Sequence, residues 1–174
     1  MSIRKYIQQY TSAKTSIKQV PAGFKIVDKH FGWQPNTFNL DIGGGKYDLM
    51  TEKLLKKNVT NLIFDPYNRS LTHNLDVVRT IFRNAGIDTA TIFNVLNVIK
   101  EHEMQLVVLN MAKSALKIGG YVFVRSTYMN PAKVSGVTKK GTFQHYKTQK
   151  EYLEIVKEIF PNAKLEHGII YGTK

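Results

Sequence analysis

No cysteine occurs among the 174 residues, so disulfides, thiolate nucleophiles and cysteine zinc sites are excluded together. Acidic residues are scarce as well: 13 stand against 25 Lys and Arg, for a formal charge of +12. No apolar run approaches the ~18 residues of a membrane span. Arg4 and Lys5 are followed by a polar stretch rather than the apolar one of a signal peptide, so a cytoplasmic location is expected. The five histidines, His30, His73, His102, His145 and His167, are scattered without HxH or HExxH spacing, and no metal dependence is expected. The rest of the composition, 43% hydrophobic and 22% charged, suits one compact domain with a substantial core.

What is present is more specific. Residues 38–48 read FNLDIGGGKYD, and 24 positions after Asp41 stands Asp65, in LIFDPYNRS. An apolar strand that meets an acid and a glycine cluster, followed one strand later by a second acid, is the layout of a nucleoside-cofactor site. Gly43, Gly44 and Gly45 let the backbone turn sharply and approach a ligand. Asp65 stands where ribose hydroxyls bind, at the carboxyl ends of the strands. A phosphate-cradling GxxxxGK[ST] loop is ruled out because Lys46 is followed by Tyr47 with the wrong glycine spacing. A dinucleotide GxGxxG loop is disfavoured because Asp48 occupies the third glycine position, where a pyrophosphate would meet like charge. An acid shortly before the glycines suits a ligand carrying a cation, and S-adenosylmethionine brings an ammonium and a sulfonium without phosphate. A tight strand-to-helix turn with no ligand is the remaining alternative.

The segments LDIGGGKYD, FDPYNRS, FNVLNVIKE and LKIGGYVFV together resemble the first, second, fourth and fifth motifs of class I S-adenosylmethionine-dependent methyltransferases, over residues 36–128. The wording DIGGGKYD and DPYNRS is similar to small bacterial and phage-type members. Tyr47 departs from the wider superfamily, many of whose members carry a third glycine there. The resemblance implies that Asp41 and Gly43–Gly45 hold the methionine moiety, Asp65 the ribose, and Tyr67 and Asn68 the adenine edge. Asn94 and Asn97, after the next strand, can line the cofactor and substrate crevice, or serve merely as turn or cap residues. FNVL lacks the tetrapeptide of exocyclic-amine methyltransferases (an acid or asparagine, two prolines and an aromatic), so methylation of a base amino group gains no support from it.

Periodicity predicts an α/β fold of Rossmann-like methyltransferase type, a mostly parallel sheet with helices on both faces. The expected strands are Phe38–Ile42, Val59–Phe64, Thr89–Val95 and Tyr121–Ser126. The expected helices are Leu49–Lys57, Ser70–Asn84 with Leu71, Leu75, Val78, Ile81 and Phe82 on one face, Glu101–Lys117 ended by Gly119-Gly120, and Thr148–Phe160. Thr148 and Glu151 form a capping box. Lys164–Thr173 has the length for a last antiparallel pair, and its pairing is left open.

The charge is unevenly spread. Residues 1–35 carry +5 and residues 129–150 another +5, whereas the body 36–128 carries only +3. The expected organisation is a basic N-terminal helical or cap segment, 1–35, and a cofactor-binding domain, 36–174, with a basic lid loop at 129–150. In the resembled fold both basic segments border the substrate entrance, so nucleic acid is the expected partner. The second segment mixes Lys139, Lys140 and Lys147 with Phe143, His145 and Tyr146, suited to stacking bases and neutralising phosphates, or else to a solvated loop with its aromatics tucked in. Tyr6, Tyr10, Phe24, Phe31 and Trp33 read as packing residues. His145, Tyr146 and Asn97 are the candidate catalytic residues, the first two to deprotonate or orient a nucleophile. A small-molecule methyltransferase and a non-catalytic nucleic-acid-binding protein that keeps the fold are the alternatives.

Overall fold

The computed structural model describes residues 8–126 and 133–174. Tyr6 and residues 129–132 of the second basic segment lie outside the described residues. The chain runs α1 (Ala22–His30), β1 (Thr37–Ile42), α2 (Leu49–Leu55), β2 (Val59–Phe64), α3 (Leu71–Arg83), β3 (Ile87–Phe93), α4 (His102–Ala115) and β4 (Leu116–Arg125). A short hairpin follows, β5 (Gly136–Val137) with β6 (Phe143–Gln144), then α5 (Gln149–Lys157), β7 (Lys164–Glu166) and β8 (Ile169–Thr173). The main sheet has six strands in the order β2-β1-β3-β4-β8-β7. Strands β2, β1, β3 and β4 are parallel, and β8 runs antiparallel to both β4 and β7.

Right-handed crossovers account for the layers. The step from β1 out to β2 puts α2 on the same face as α1, where Phe24, Val27, Met50 and Leu54 bury against Phe93, Phe123 and Ile169. The steps from β2 back over β1 to β3, and on to β4, run the other way. They put α3, α4 and then α5 on the opposite face, where Val77, Leu109, Ala112, Tyr152 and Val156 cover Leu40, Ile42, Ile92 and Val124. The strand order reverses between β1 and β3, and the loops leaving their carboxyl ends diverge to leave a crevice.

Local chemistry sets the ends of these elements. Ser70 caps α3 by accepting from His73 N–H at 3.1 Å. Thr148 and Glu151 make the capping box of α5, as expected. The pairing of Lys164–Thr173 is settled by His167 and Gly168, whose φ values of 51° and 76° make the two-residue hairpin turn that joins β7 to β8.

Three expectations are corrected. The third strand is Ile87–Phe93, not Thr89–Val95. Asn94 N–H makes the last ladder bond, to the Arg125 carbonyl at 2.8 Å, and its φ of 59° then ends the strand, ahead of the 3-10 helix Leu96–Val98. The fourth helix is His102–Ala115, and Gly119-Gly120 lie inside β4 rather than after the helix. There Gly119 N–H donates to Lys174 O at 3.0 Å and Lys174 N–H to Gly120 O at 3.1 Å, so sheet bonds win over another helical turn. Finally, most of the apolar stripe of α3 faces outward: Leu71, Leu75, Val78 and Phe82 are 75%, 45%, 37% and 81% exposed, while Ile81 packs against the core and Asn74 and Val77 are buried. Polar contacts decide this rotation. The Asn74 side chain accepts from Asp65 N–H at 2.9 Å and donates to Asp65 O at 3.1 Å, and His73 Nε2 lies 2.9 Å from Ile63 O. An edge strand's peptide groups need partners, and α3 supplies them with its polar side.

Candidate functional site

The β1–α2 loop and the β2–α3 loop meet at the crevice. Gly43 and Gly45 have φ of 73° and 76°, conformations that side-chain-bearing residues rarely adopt. Gly44 needs its missing Cβ for a different reason: an atom there would run into the Asp41 carboxylate, 2.8 Å from its Cγ. Asp65, 4% exposed, is the organising acceptor. Its Oδ1 accepts from Tyr67 N–H and Asn68 N–H at 2.9 Å each, and its Oδ2 from Gly45 N–H at 2.9 Å. A carboxylate offers about four lone-pair sites, and the last is touched only by the Asn68 side-chain amide, at 3.2 and 3.3 Å.

Arg69 was not singled out from the sequence. Its Nε donates to Gly45 O at 2.8 Å, and its Nη2 pairs with Asp48 Oδ1 at 2.7 Å, so it braces the glycine loop from above. The signal was there in the unpaired Asp48 and the arginine of DPYNRS, but only the fold brings them together. Asn39, Thr89 and Thr91 were missed too. On the α2 side of the sheet, Asn39 donates to Asn61 Oδ1 at 2.7 Å and to Thr91 Oγ1 at 3.1 Å, Thr89 donates to Asn39 Oδ1 at 2.8 Å, and Thr91 donates to Asp41 Oδ1 at 3.1 Å. This polar row crosses three strands and ends at Asp41.

Asp41 is buried, 4% exposed. Burial pushes its pKa from 3.8 up to about 7; the Thr91 hydrogen bond and Arg69 oppose this, and the charge of Asp65 adds to it. Between those two values the folded chain keeps a proton that the unfolded chain has lost, so stability must fall as pH rises through that window. The contribution is on the order of 4 kcal/mol. Asp41→Asn, which keeps the shape and cannot ionise, is expected to remove it. Thermal unfolding of both proteins from pH 4 to 8 checks this, and identical pH slopes would refute the assignment. Two buried acids around a glycine loop, one of them poised to ionise when a cation arrives beside it, fit a ligand that brings a positive charge and hydroxyl donors.

The other side of the crevice carries Asn94, Asn97 and the β5–β6 hairpin. Asn94 is exposed at the rim, and Asn97 is 3% exposed. The structure joins Asn97 to His145: His145 N–H donates to Asn97 O at 2.7 Å, and Asn97 Nδ2 donates to Gln144 Oε1 at 3.3 Å. Tyr146 turns toward Lys133, whose Nζ lies 5.8 Å from its ring. Burial, then the charge of Lys147, pulls the His145 pKa below its ordinary value; the carbonyls of Ile99 and Lys100 and the Glu101 carboxylate oppose this. Those carbonyls lie near the ring but miss hydrogen-bond geometry, since neither ring nitrogen has a partner. Tyr67 is 42% exposed, and its phenol is raised by burial, then by Glu101 and Asp65, which sets it between the two halves of the crevice.

Residues 8–16 cross over the crevice as a strap. Gln9 N–H donates to Glu101 Oε1 at 3.2 Å, Lys100 Nζ to Gln9 Oε1 at 2.9 Å, and Lys46 N–H to Ser16 Oγ at 3.1 Å. Tyr10 stacks on Phe143, with centroids 5.9 Å apart, so the two basic segments touch at one end of the sheet. Among the described residues no group of three His, Asp or Glu is placed to hold a metal, and no helix is long and apolar enough to cross a membrane.

No family model matches the chain, and no curated protein does. Solved structures do. A Burkholderia thailandensis 1,6-didemethyltoxoflavin-N1-methyltransferase, with 1,6-didemethyltoxoflavin and S-adenosylhomocysteine bound, is 13% identical, with a TM-score of 0.63 over 87% of this chain and 76% of that one. The fold is the Rossmann-like methyltransferase fold. An S-adenosylmethionine-dependent methyltransferase from Methanosarcina mazei shares this methyltransferase fold at 13% identity and a TM-score of 0.57, covering 82% of this chain and 92% of its own. The methyltransferase SibL, in its apo form, is 15% identical with a TM-score of 0.58 over 88% of this chain, which spans 54% of SibL, about half its length.

Proposed function

We propose that the chain is an S-adenosylmethionine-dependent methyltransferase whose substrate is a nucleic acid. The observation that carries the cofactor is the Asp65 carboxylate at the crevice, locked to Gly45 N–H at 2.9 Å and keeping one acceptor position that only a long amide contact fills. A ribose hydroxyl takes that position from Asn68, and Gly43–Gly45 with the buried Asp41 face the cationic methionine end. Tyr67 offers its half-exposed ring, with Asn68, to the adenine edge. When bound, the sulfonium supplies an electrophilic methyl group, and alignment of an acceptor lone pair with it carries much of the rate. His145, held neutral by burial, is the group able to take a proton at a ring nitrogen. Asn97 fixes it through the hydrogen bond that its backbone carbonyl accepts from the His145 N–H, and Tyr146 extends the same hairpin.

The nucleic-acid reading is supported by the contact between Tyr10 and Phe143, which draws both basic segments to the mouth of the crevice. None of Lys14, Lys18, Lys133, Lys139, Lys140 and Lys147 is in a salt bridge among the described residues. A small-molecule acceptor is the second reading, favoured by the Burkholderia neighbour, which holds 1,6-didemethyltoxoflavin. Calorimetry is expected to find S-adenosylmethionine and S-adenosylhomocysteine binding well, and NAD and ATP much more weakly. NAD binding tighter than both would overturn the cofactor reading. Tritium transfer from labelled S-adenosylmethionine to RNA, DNA or lysate metabolites then separates the substrate classes, and cofactor binding with no transfer at all would favour a non-catalytic nucleic-acid-binding protein.

A further inference from the structure

We propose that Asn97, Glu101 and His145 form the acceptor pocket of this chain, and that it takes the amino-bearing edge of a nucleobase. The proposal rests on the nucleic-acid reading and adds what part of the nucleic acid is recognised. Four side-chain atoms of these residues, Asn97 Oδ1, Glu101 Oε2 and both ring nitrogens of His145, are shielded from water and have no hydrogen-bond partner. A buried polar atom left unpaired is destabilising, and a cluster of them marks a place built for something else to fill. Other unpartnered groups differ in setting. Trp33 Nε1 and Tyr152 Oη are also unpaired, but Trp33 packs among Phe24 and Phe123 and Tyr152 lies in the main core.

The pocket has a definite hydrogen-bonding sense. Asn97 has committed its amide nitrogen to Gln144, so it presents an acceptor. Glu101 has committed Oε1 to Gln9, so Oε2 is an acceptor as well. A neutral imidazole presents one donor and one acceptor. Two of these acceptors and the donor match an exocyclic amino group beside a ring nitrogen, as on adenine or cytosine. They mismatch uracil, which offers one N–H between two carbonyls. A stacking surface adjoins the pocket: the Phe143 ring meets His145 edge-on at 4.7 Å, and its face is covered by Tyr10 of the strap. A base entering the pocket takes the place of Tyr10 on Phe143, and the strap, held at Glu101 by the Gln9 N–H, swings off the same carboxylate.

The experiment is fluorescence anisotropy with short single-stranded RNA homopolymers of A, C and U, on the parent, Glu101→Gln and Asn97→Leu, at several salt concentrations. The parent is expected to bind A and C roughly tenfold or more tighter than U. Glu101→Gln turns an acceptor into a donor without changing shape, so its preference should shrink to about twofold or reverse, with the salt slope unchanged because phosphate contacts are untouched. Asn97→Leu should lose the preference too, and the isosteric glutamine variant decides the matter if the leucine variant does not fold. Equal binding of all homopolymers by the parent overturns the pocket while leaving the polyanion reading intact. A preference that survives in Glu101→Gln overturns the assignment to these residues. No binding of any homopolymer overturns both readings.

Discussion

Asp65→Ala is expected to lose cofactor binding by roughly 2 to 4 kcal/mol, because a charged acceptor is removed from a buried crevice. The structure adds a second loss. Three backbone N–H groups, of Gly45, Tyr67 and Asn68, point at this one carboxylate, and all three lose their acceptor once it is gone, the Gly45 group in a buried position. Allowing for relaxation, about 3 kcal/mol of folding stability goes with it, which lowers Tm by roughly 6 to 12 °C in a chain of this size. From the sequence alone the fold would survive with little change, since the acid looks free for a ligand. Asp65→Asn separates the two effects. Its oxygen can still serve Tyr67 and Asn68, while its amide opposes the Gly45 N–H and disturbs the glycine loop specifically. Calorimetry and thermal unfolding measure both quantities, and parental affinity in Asp65→Ala would show that the ribose assignment is wrong.

Replacing Lys133, Lys139, Lys140 and Lys147 together by glutamine is expected to weaken RNA and DNA binding strongly and leave S-adenosylmethionine affinity nearly unchanged. The residues lie on or beside the β5–β6 hairpin, away from the glycine loop, and none of them is in a salt bridge among the described residues. Each lost phosphate contact lowers the salt slope by about 0.7 to 0.9, so all of them together lower it by roughly 3, with affinity falling by up to about a thousandfold at 0.1 M salt. Folding should be little affected, because exposed charges contribute little to stability. Anisotropy titrations at several salt concentrations give both numbers. An unchanged slope would mean that the hairpin is merely solvated, and a small-molecule acceptor would become the better reading.

How much was legible beforehand differs between elements for identifiable reasons. β2 and the capped helix α5 were readable because their signals are local: an apolar β-branched run in one, a Thr148–Glu151 reciprocal bond in the other. The end of β3 was not, because it is set by the left-handed backbone of Asn94, just after the last pair with β4, Phe93 with Arg125, a residue far along the chain. The outward stripe of α3 was misleading for a related reason. Its periodicity is sound, but the open edge of β2 needed hydrogen-bond partners, and His73 and Asn74 turned the helix to supply them.

The sequence by itself determined the alternation of strands and helices, the glycine loop between two acids, the absence of thiol chemistry and the placement of charge in two segments. These are properties of neighbouring residues or of composition, and they hold in any conformation. Only the tertiary structure decided that three acceptor positions of Asp65 are taken by the loops it organises, that Arg69 spans from one loop to the other, and that Tyr10 closes on Phe143. It alone brought Asn97, Glu101 and His145 together with Asn97 Oδ1, Glu101 Oε2 and both ring nitrogens of His145 unpaired. Such features depend on which distant groups share one small volume without water, and burial of that kind is fixed by the packing of the whole sheet rather than by any stretch of residues.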